Sequence, residues 1–487
     1  MKSQWENSRE VTERIYITGQ LLLETPAHFG NGDTEAVTDI PLMLDALDGK
    51  TPLLTGTSIA GALRNYLREL ELGYGMAERK TGALMAEKLF GHLWKKNEEK
   101  IDSVLSWLMV DDALGELPAA KTPIELRDGV AIDPRTRTVL LDKNKKGQKY
   151  DVELLAAGTA FHLHFELWLN ARNSGLLEAL ALALEGFENG KIGLGLRKNR
   201  GFGQCRVTRW CVKRYKMNNP DGVLGWLEHQ DAEDGAFQPN IKTLLGVTKQ
   251  QEHKGEKFVL DVRFKLRSSL HIRSHTGELA GPDSVHLRSI RNNETKPVLS
   301  GTSLAGVIRG RALRIAKTMK EKIAADFIDN MFGKAANDAS TGSRVVTYET
   351  EIENGIDDLV QSRIKIDRFT GGAFPNALFS EQPLFAKTAS ETRLHIKLEL
   401  RKTPEVKNFD AEIGLLLLVL KDLWTGDLAL GGESSIGRGR LQGLEATLTL
   451  GKTTWKITQG ANNNLLFSGN GKKDDLEKRF LQAFLEM

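Results

Sequence analysis

Pro52-Leu53-Leu54-Thr55-Gly56-Thr57-Ser58-Ile59-Ala60-Gly61-Ala62-Leu63-Arg64 is written a second time in this chain, as Pro297-Val298-Leu299-Ser300-Gly301-Thr302-Ser303-Leu304-Ala305-Gly306-Val307-Ile308-Arg309. The thirteen positions align without a gap at an offset of 245, and eight are identical. A repeat of that length is no short-period solenoid; it marks two whole domains of one kind in one polypeptide. The duplication extends outward in preserved order. Leu89-Phe90-Gly91 returns as Met331-Phe332-Gly333, and Ile132-Asp133 returns as Ile366-Asp367. Asn189–Gly195 with Gly201-Phe202-Gly203 returns as Thr425–Gly431 with Gly437-Arg438-Gly439.

Apolar spacing gives each copy the same run of elements. Ile15–Leu23 reads as a strand. Ile59, Leu63 and Leu67 keep helical spacing after Thr57 or Ser58, either of which suits the N-cap. Trp107–Val110 and Phe161–Leu169 read as strands, Gly175–Phe187 as a helix, and Gln204–Val212 as the closing strand. The second copy predicts strands at Phe258–Leu266, Val345–Tyr348, Leu394–Leu400 and Leu441–Leu450, with helices at Ser303–Lys320 and Ala411–Trp424. The fold class is therefore α+β: two ferredoxin-like (RRM-like, βαββαβ) domains in tandem, each with an inserted thumb-like β-hairpin. The expected layout is a first domain over 1–216 with its hairpin at about 121–155, and a linker over 217–257. A second domain covers 258–450 with its hairpin at about 361–389, and a C-terminal appendix covers 451–487 with a terminal helix from Lys473. In the linker, Val223, Leu224, Trp226 and Leu244 are apolar enough for parts of it to dock.

Length, 487 residues, fits two to three domains, and 40% apolar with 27% charged residues is ordinary for a folded chain. No apolar run approaches a membrane span, and the start lacks a signal-peptide core. Cys205 and Cys211 are the only cysteines, too few for a disulfide framework or a cysteine-rich zinc site, so a cytoplasmic setting is expected. Net charge is only +3, but from Asn189 through Pro220 there are nine Lys and Arg residues and no acidic one. That stretch reads equally as a polyanion track or as a solvated basic strand face. Gly193-Leu194-Gly195 is no dinucleotide fingerprint, since position 198 is Lys, and no Walker-type Gly-Lys-Ser/Thr occurs.

The Gly-Thr-Ser-x-Ala-Gly motif, the Phe-Gly after its helix, Ile366–Gly372 and the late glycine-rich loop together resemble the RAMP superfamily of CRISPR systems. More narrowly they resemble the Csm/Cmr-type backbone subunits of type III effector complexes, here as a tandem fusion of two. The resemblance covers roughly 15–213 and 258–450. It implies guide-RNA binding through Gly56, Thr57, Ser58, Gly61 and Arg64 with Gly193, Gly195, Lys198, Arg200, Gly201 and Gly203 in the first copy. In the second it implies Gly301, Thr302, Ser303, Gly306 and Arg309 with Gly431, Gly432, Gly437, Arg438 and Gly439. Small residues at a helix start let backbone N–H groups approach a phosphate, which agrees with that role. The inserted hairpin resembles the family's thumb, which interrupts pairing between guide and target. The implied partners are guide RNA, complementary target RNA and other type III subunits, with no membrane.

The family's catalytic aspartate lies between the first strand and the Gly-Thr-Ser motif, in a pattern that Val37–Leu42 and Gly281–Leu287 fit. Asp39 and Asp283 stand there, 244 apart. A lone loop aspartate is by itself a turn former; the repeat and the resemblance single these two out. The resemblance implies metal-dependent cleavage of target RNA by its own 2′-hydroxyl, with Mg2+ or Mn2+ held by Asp39 and Asp283. General-base action by the same carboxylates is the other open role. His28 and His271, ending the first strands, read as structural in preference to proton carriers, and so do Asp112, Glu349, Asp133 and Asp367. Two further readings are a non-catalytic guide-RNA scaffold of the same complex and a guide-RNA-processing RAMP endoribonuclease. The latter needs a histidine acid/base, for which His28 is the nearest candidate.

Overall fold

The computed structural model describes residues 10–30, 32, 39–76, 83–97, 100–133, 136, 138–141, 149–228, 237–275, 281–334, 341–387, 391–460 and 464–487. Val37 and Thr38 of the Asp39 motif lie outside these. In chain order the first copy forms β1 (Glu13–Leu23), α1 (Gly56–Leu72), β2 (Leu108–Val110), β3 (Ala113–Glu116), hairpin strands β4 (Ile124–Val130) and β5 (Lys149–Leu155), β6 (Ala160–Leu169), α2 (Gly175–Glu188) and β7 (Cys205–Lys216). The second forms β8 (Lys257–Leu266), α3 (Gly301–Lys320), α4 (Ala324–Phe332), β9 (Val345–Thr347), hairpin strands β10 (Gln361–Ile366) and β11 (Ala373–Gln382), β12 (Arg393–Arg401), α5 (Phe409–Thr425) and β13 (Leu441–Leu450).

The chain forms two compact units. The first comprises Met1–Glu125, Glu153–Leu196 and Gly203–Gly255. Its central strand is β1, antiparallel to β7 on one side and β6 on the other, with β2 and β3 paired beyond β6. Alternation puts Ile15, Ile17, Leu21 and Leu23 on the buried face. Ile59, Leu63 and Leu67 of α1 and Leu176, Leu180 and Leu184 of α2 lie in the same core. Helix α1 starts at Gly56 because Thr55 caps it, accepting the Ser58 N–H. This corrects the expectation of Thr57 or Ser58; Ser300 does the same for α3. After β7, Ile241 and Leu245 join the core and the Trp226 indole donates to the Tyr16 hydroxyl at 2.9 Å, while Leu224 stays exposed.

The second unit comprises Leu126–Val152, Arg197–Phe202 and Glu256–Met487. It repeats the arrangement, β8 lying between β12 and β13 with β9 on β12. Thr453–Gln459 and Leu465–Gly469 carry the sheet onward from β13. The terminal helical residues bury Phe480 and Phe484 against α5, in the same core as Trp455. This unit also contains two pieces of first-copy sequence, the body of the first hairpin and the basic loop Arg197–Phe202. Their anchor is ionic. Arg127 on β4 donates from Nη1 and Nη2 to the Glu349 carboxylate at 2.8 and 3.2 Å, and Arg291 Nη2 donates to the same group at 2.6 Å. The Glu349 side chain is fully buried. Burial alone would raise its carboxyl, but Arg127 and then Arg291 outweigh that and hold it below the usual carboxylate range.

Glu349→Ala removes the carboxylate that two buried guanidinium groups share. It is expected to destabilise the second unit by about 3–5 kcal/mol, read as a lowered urea midpoint, whereas replacing Arg127, Arg291 and Glu349 together by Met, Met and Leu recovers most of the loss. A loss below about 1 kcal/mol in Glu349→Ala contradicts the assignment of Glu349 as the anchor.

Candidate nucleic-acid interface

The first turns of α1 and α3 present the Gly-Thr-Ser residues unequally. Gly56 and Gly301 are buried. A Cβ on Gly56 would lie 2.2 Å from the Val110 carbonyl oxygen, and one on Gly301 would lie 2.1 Å from that of Arg200. These glycines are set by backbone packing, and Asp112 Oδ1 accepts the Gly56 N–H at 2.7 Å. Thr57 and Ser58 are exposed, whereas Thr302 and Ser303 are half-buried. Gly61 and Gly306, one turn on, are exposed, and nothing lies within 4 Å of a Cβ at either. Glycine inside a helix costs about 1 kcal/mol relative to alanine, and no neighbouring atom of the fold requires it at these two positions.

The glycine-rich loops return with nearly the same backbone. Arg197 and Glu433 are both left-handed (φ 56° and 58°), as are Gly201 and Gly437 (both 90°) and Gly203 and Gly439 (67° and 76°). A Cβ on Gly203 would sit 1.8 Å from the Leu194 oxygen, and one on Gly439 equally close to that of Leu430. Gly195 and Gly431 approach the His28 and His271 carbonyls in the same way. Gly193 bridges Gln204, and the Gly432 N–H donates to the His271 carbonyl at 2.8 Å. Most of these glycines thus serve loop closure. Gly437 alone of the pair has open space over it; Gly201 is packed against the Glu349 backbone nitrogen.

The basic residues divide sharply. Lys198 is exposed, and Arg197 lies over the Tyr150 ring, 4.7 Å from its centroid. Arg200 donates to the Phe332 carbonyl at 3.4 Å, yet its Nη1 is buried with no partner. Burial, then the like charges of Arg309 and Arg197, pull its pKa below the ordinary arginine value, so the site holds excess positive potential. Arg309 is committed to Asp329 at 2.7 Å and to the Gly333 carbonyl at 3.0 Å, fastening the Phe-Gly motif. Arg64 is half-buried at the matching place on α1. Arg438 is 3% exposed, ion-paired with Glu433 at 2.8 Å and donating from Nη2 to Gln361 at 2.9 Å, with its Nη1 buried and without a partner; its side chain is removed from any surface track.

Both aspartates sit on loops tied to the outgoing hairpin strand, a link no sequence signal announced. In the first unit Asp39 is exposed, and the next residue, Ile40, accepts the Glu153 N–H through its carbonyl at 3.3 Å. Glu153 Oε2 also accepts the Leu42 N–H, and its carbonyl accepts from His28 Nδ1 at 2.8 Å. In the second unit Ser284 and Val285 pair in parallel with Glu381 and Gln382 of β11. Asp283 Oδ2 accepts the Ser380 N–H at 2.7 Å and its hydroxyl at 3.2 Å, leaving Oδ1 outside that contact. Beneath β11, Glu381 meets Arg273, Arg363 and Arg438, and burial and then the facing Glu433 push its carboxyl up.

Both candidate histidines are buried. His28 is 3% exposed and His271 fully buried, its Nε2 2.9 Å from the Ser284 hydroxyl. Nearby His286 accepts the Ile272 N–H on Nδ1 and donates from Nε2 to the Val298 carbonyl, a pattern for the neutral ring. Among the described residues no group of three or more His, Cys, Asp or Glu side chains is arranged to hold a metal ion. No helix among them is long and apolar enough to cross a membrane.

The family model of the RAMP superfamily matches residues 20–206 and 263–442, well over half of the chain and once per copy. No curated protein matches.

Burial pulls His271 to about 4 and His286 to about 3, so both are neutral at pH 7. Unfolded histidine titrates near 6.5. Their contribution to stability is therefore complete above pH 6.5 and is lost as pH falls through 4 and then 3. Urea midpoints are expected to drop between pH 7 and pH 4, on the order of 2 kcal/mol from this source. A His271→Asn/His286→Asn variant is expected to show a shallower pH dependence.

Proposed function

The chain belongs to the RAMP superfamily, and on that premise we propose that it is a double backbone subunit of a type III CRISPR ribonucleoprotein. In this reading it holds guide RNA and cleaves complementary target RNA at two places. The strand order in each unit, with the first strand between the last and the third, supports the ferredoxin-like reading of both copies.

One observation carries the catalytic part. Each copy has a loop aspartate whose following residue is tied to the outgoing strand of the hairpin, Ile40 by a hydrogen bond from Glu153 and Ser284 by parallel strand pairing opposite Glu381. A hairpin that pushes a nucleotide out of a duplex thereby carries its own carboxylate to the distorted linkage. RNA supplies the nucleophile, its 2′-hydroxyl, and the protein's task is in-line geometry, charge and proton movement. A stacked A-form strand lacks in-line geometry; a splayed nucleotide can reach it. Asp283 is oriented by Ser380 through Oδ2, so Oδ1 is the atom that serves the reaction. A single carboxylate with RNA phosphate oxygens suits Mg2+ or Mn2+, and the ion when bound supplies charge stabilisation at the scissile phosphate. The scaffold reading draws on the same contact: Asp283 as a partner of Ser380 also makes a simple loop fastening.

Binding rests on the open helix surface at Thr57, Ser58 and Gly61, on Gly306, and on the uncompensated charge at Arg200. Sequence preference is expected to be slight, since the guide reads the target while the protein holds backbone and shape.

With guide bound, Asp39→Ala and Asp283→Ala are each expected to remove one cleavage product, and the double variant both, with guide retention unchanged. Chelation by EDTA is expected to stop cleavage and added Mg2+ to restore it. Unchanged products in the double variant leave the scaffold reading; activity that survives EDTA excludes the metal role. Gly61→Ala and Gly306→Ala are expected to raise stability by up to about 1 kcal/mol each while weakening guide binding in a filter assay. Unaltered binding removes these helix surfaces from the RNA path.

A further inference from the structure

The second unit holds a polar cavity of about 250 Å3 between α3 and the segment that follows α5. Arg311 and Arg314, one helical turn apart, line it from α3; Arg440 and Ser434 line it from the glycine-rich loop, with the backbone of Gly426–Ala429. Asp422 fixes Arg311 from one side, accepting from Nε at 2.6 Å, which leaves both Nη groups of the fork outside that pair. Asp427 also lines the cavity; its carboxylate is bonded to Lys421 at 2.9 Å and to the Thr425 hydroxyl at 2.6 Å, and it feels the charge of Arg311 as well. The lining thus carries three guanidinium groups against one carboxylate, and guanidinium forks match the geometry of phosphate oxygens.

The first copy has lost or never acquired this feature. At the offsets of the repeat, Arg311, Arg314 and Arg440 correspond to Tyr66, Glu69 and Gln204, and Asp422 corresponds to Gly186. Tyr66 is buried, and a Cβ on Gly186 would lie 2.6 Å from its ring. An aromatic ring therefore occupies the place where the second copy sets an ion pair, and a carboxylate replaces a guanidinium at the rim. A contact made in every copy would leave the same residues in both.

We propose that the Arg311–Arg314–Arg440 cavity is a phosphate-binding site of the second copy alone, its phosphate supplied by the bound RNA. The RNA source rests on the guide-binding reading above; the phosphate chemistry rests on the cavity. Two sources share that chemistry, a terminal phosphomonoester and an internal phosphodiester.

The test uses the full chain and an Arg314→Gln/Arg440→Gln variant; Arg311 is left in place because its loss strands Asp422. Binding is measured over a salt series with ten-nucleotide RNAs ending in 5′-phosphate, 3′-phosphate or hydroxyl, and with inorganic phosphate by calorimetry. The variant is expected to bind RNA about tenfold more weakly, with a salt slope shallower by about 0.7, the share of one phosphate contact on a single strand. A loss confined to one phosphorylated end identifies a terminal monoester, and an equal loss for all RNAs identifies an internal diester. Unchanged RNA affinity and slope in the variant overturn the site while leaving guide binding intact. If the wild type binds no RNA, the guide-binding reading fails and inorganic phosphate decides the cavity: binding present in the wild type and lost in the variant keeps the phosphate site, and no binding in either ends it.

Discussion

Glu349 lies fully buried between two guanidinium groups, and the architecture of the second unit depends on that contact. An ionised carboxylate in such a place is tolerable only because Arg127 and Arg291 stand on either side of it. Arg127 comes from a hairpin strand of the first copy, so the ion triad holds a piece of first-copy sequence inside the second unit. Gly201 reinforces this by bringing its backbone against the Glu349 nitrogen, a distance no side chain would permit. Asn199 adds a bond from its amide to the Ser343 carbonyl at 3.0 Å. The basic loop is thus fixed at several points, and the charge on Arg200 is presented by a constrained backbone.

The two copies have kept their backbones and diverged in their side chains. The left-handed positions of the two glycine-rich loops coincide to within about ten degrees at Arg197/Glu433, Gly201/Gly437 and Gly203/Gly439. What fills the loops differs: a cation, Arg197, stacked on Tyr150 in one, and the anion Glu433 within an arginine cluster in the other. At Gly203 and Gly439 that geometry is set by close approach of main-chain atoms, which leaves no room for a Cβ. Side chains on the same frame answer to local burial and charge, and they have been free to separate. The Tyr66–Gly186 pair and the Arg311–Asp422 pair at the same places are one such separation, a filled apolar contact in one copy and an ion pair beside open space in the other.

The loops bearing Asp39 and Asp283 show the same division. Both are fastened to the outgoing hairpin strand one residue after the acid, through Ile40 and Ser284. A Glu153 carboxylate does the fastening at Leu42 in one copy, and the Ser380 contact adds to strand pairing in the other. An acidic side chain on an isolated loop has no defined direction. Coupled to a hairpin strand, it is held against that strand.

The sequence by itself determined the duplication, the order of strands and helices, and the family. Those rest on identities at fixed offsets and on apolar periodicity, both local properties of the chain. Helix starts were legible only to within a few residues, because Thr55, Thr57 and Ser58 are all competent caps and only backbone geometry selects Thr55. It singled out Asp39 and Asp283 but not Glu153, Glu381 or Ser380, whose roles come from hydrogen bonds spanning about a hundred residues. Nor did it separate Arg200, whose charged neighbours are other arginines, from Arg438, which is paired with Glu381 and Glu433. Tertiary structure alone decided which charges are paired within the protein and which remain for a ligand, because electrostatic pairing depends on distance in space and leaves no periodic trace along the chain.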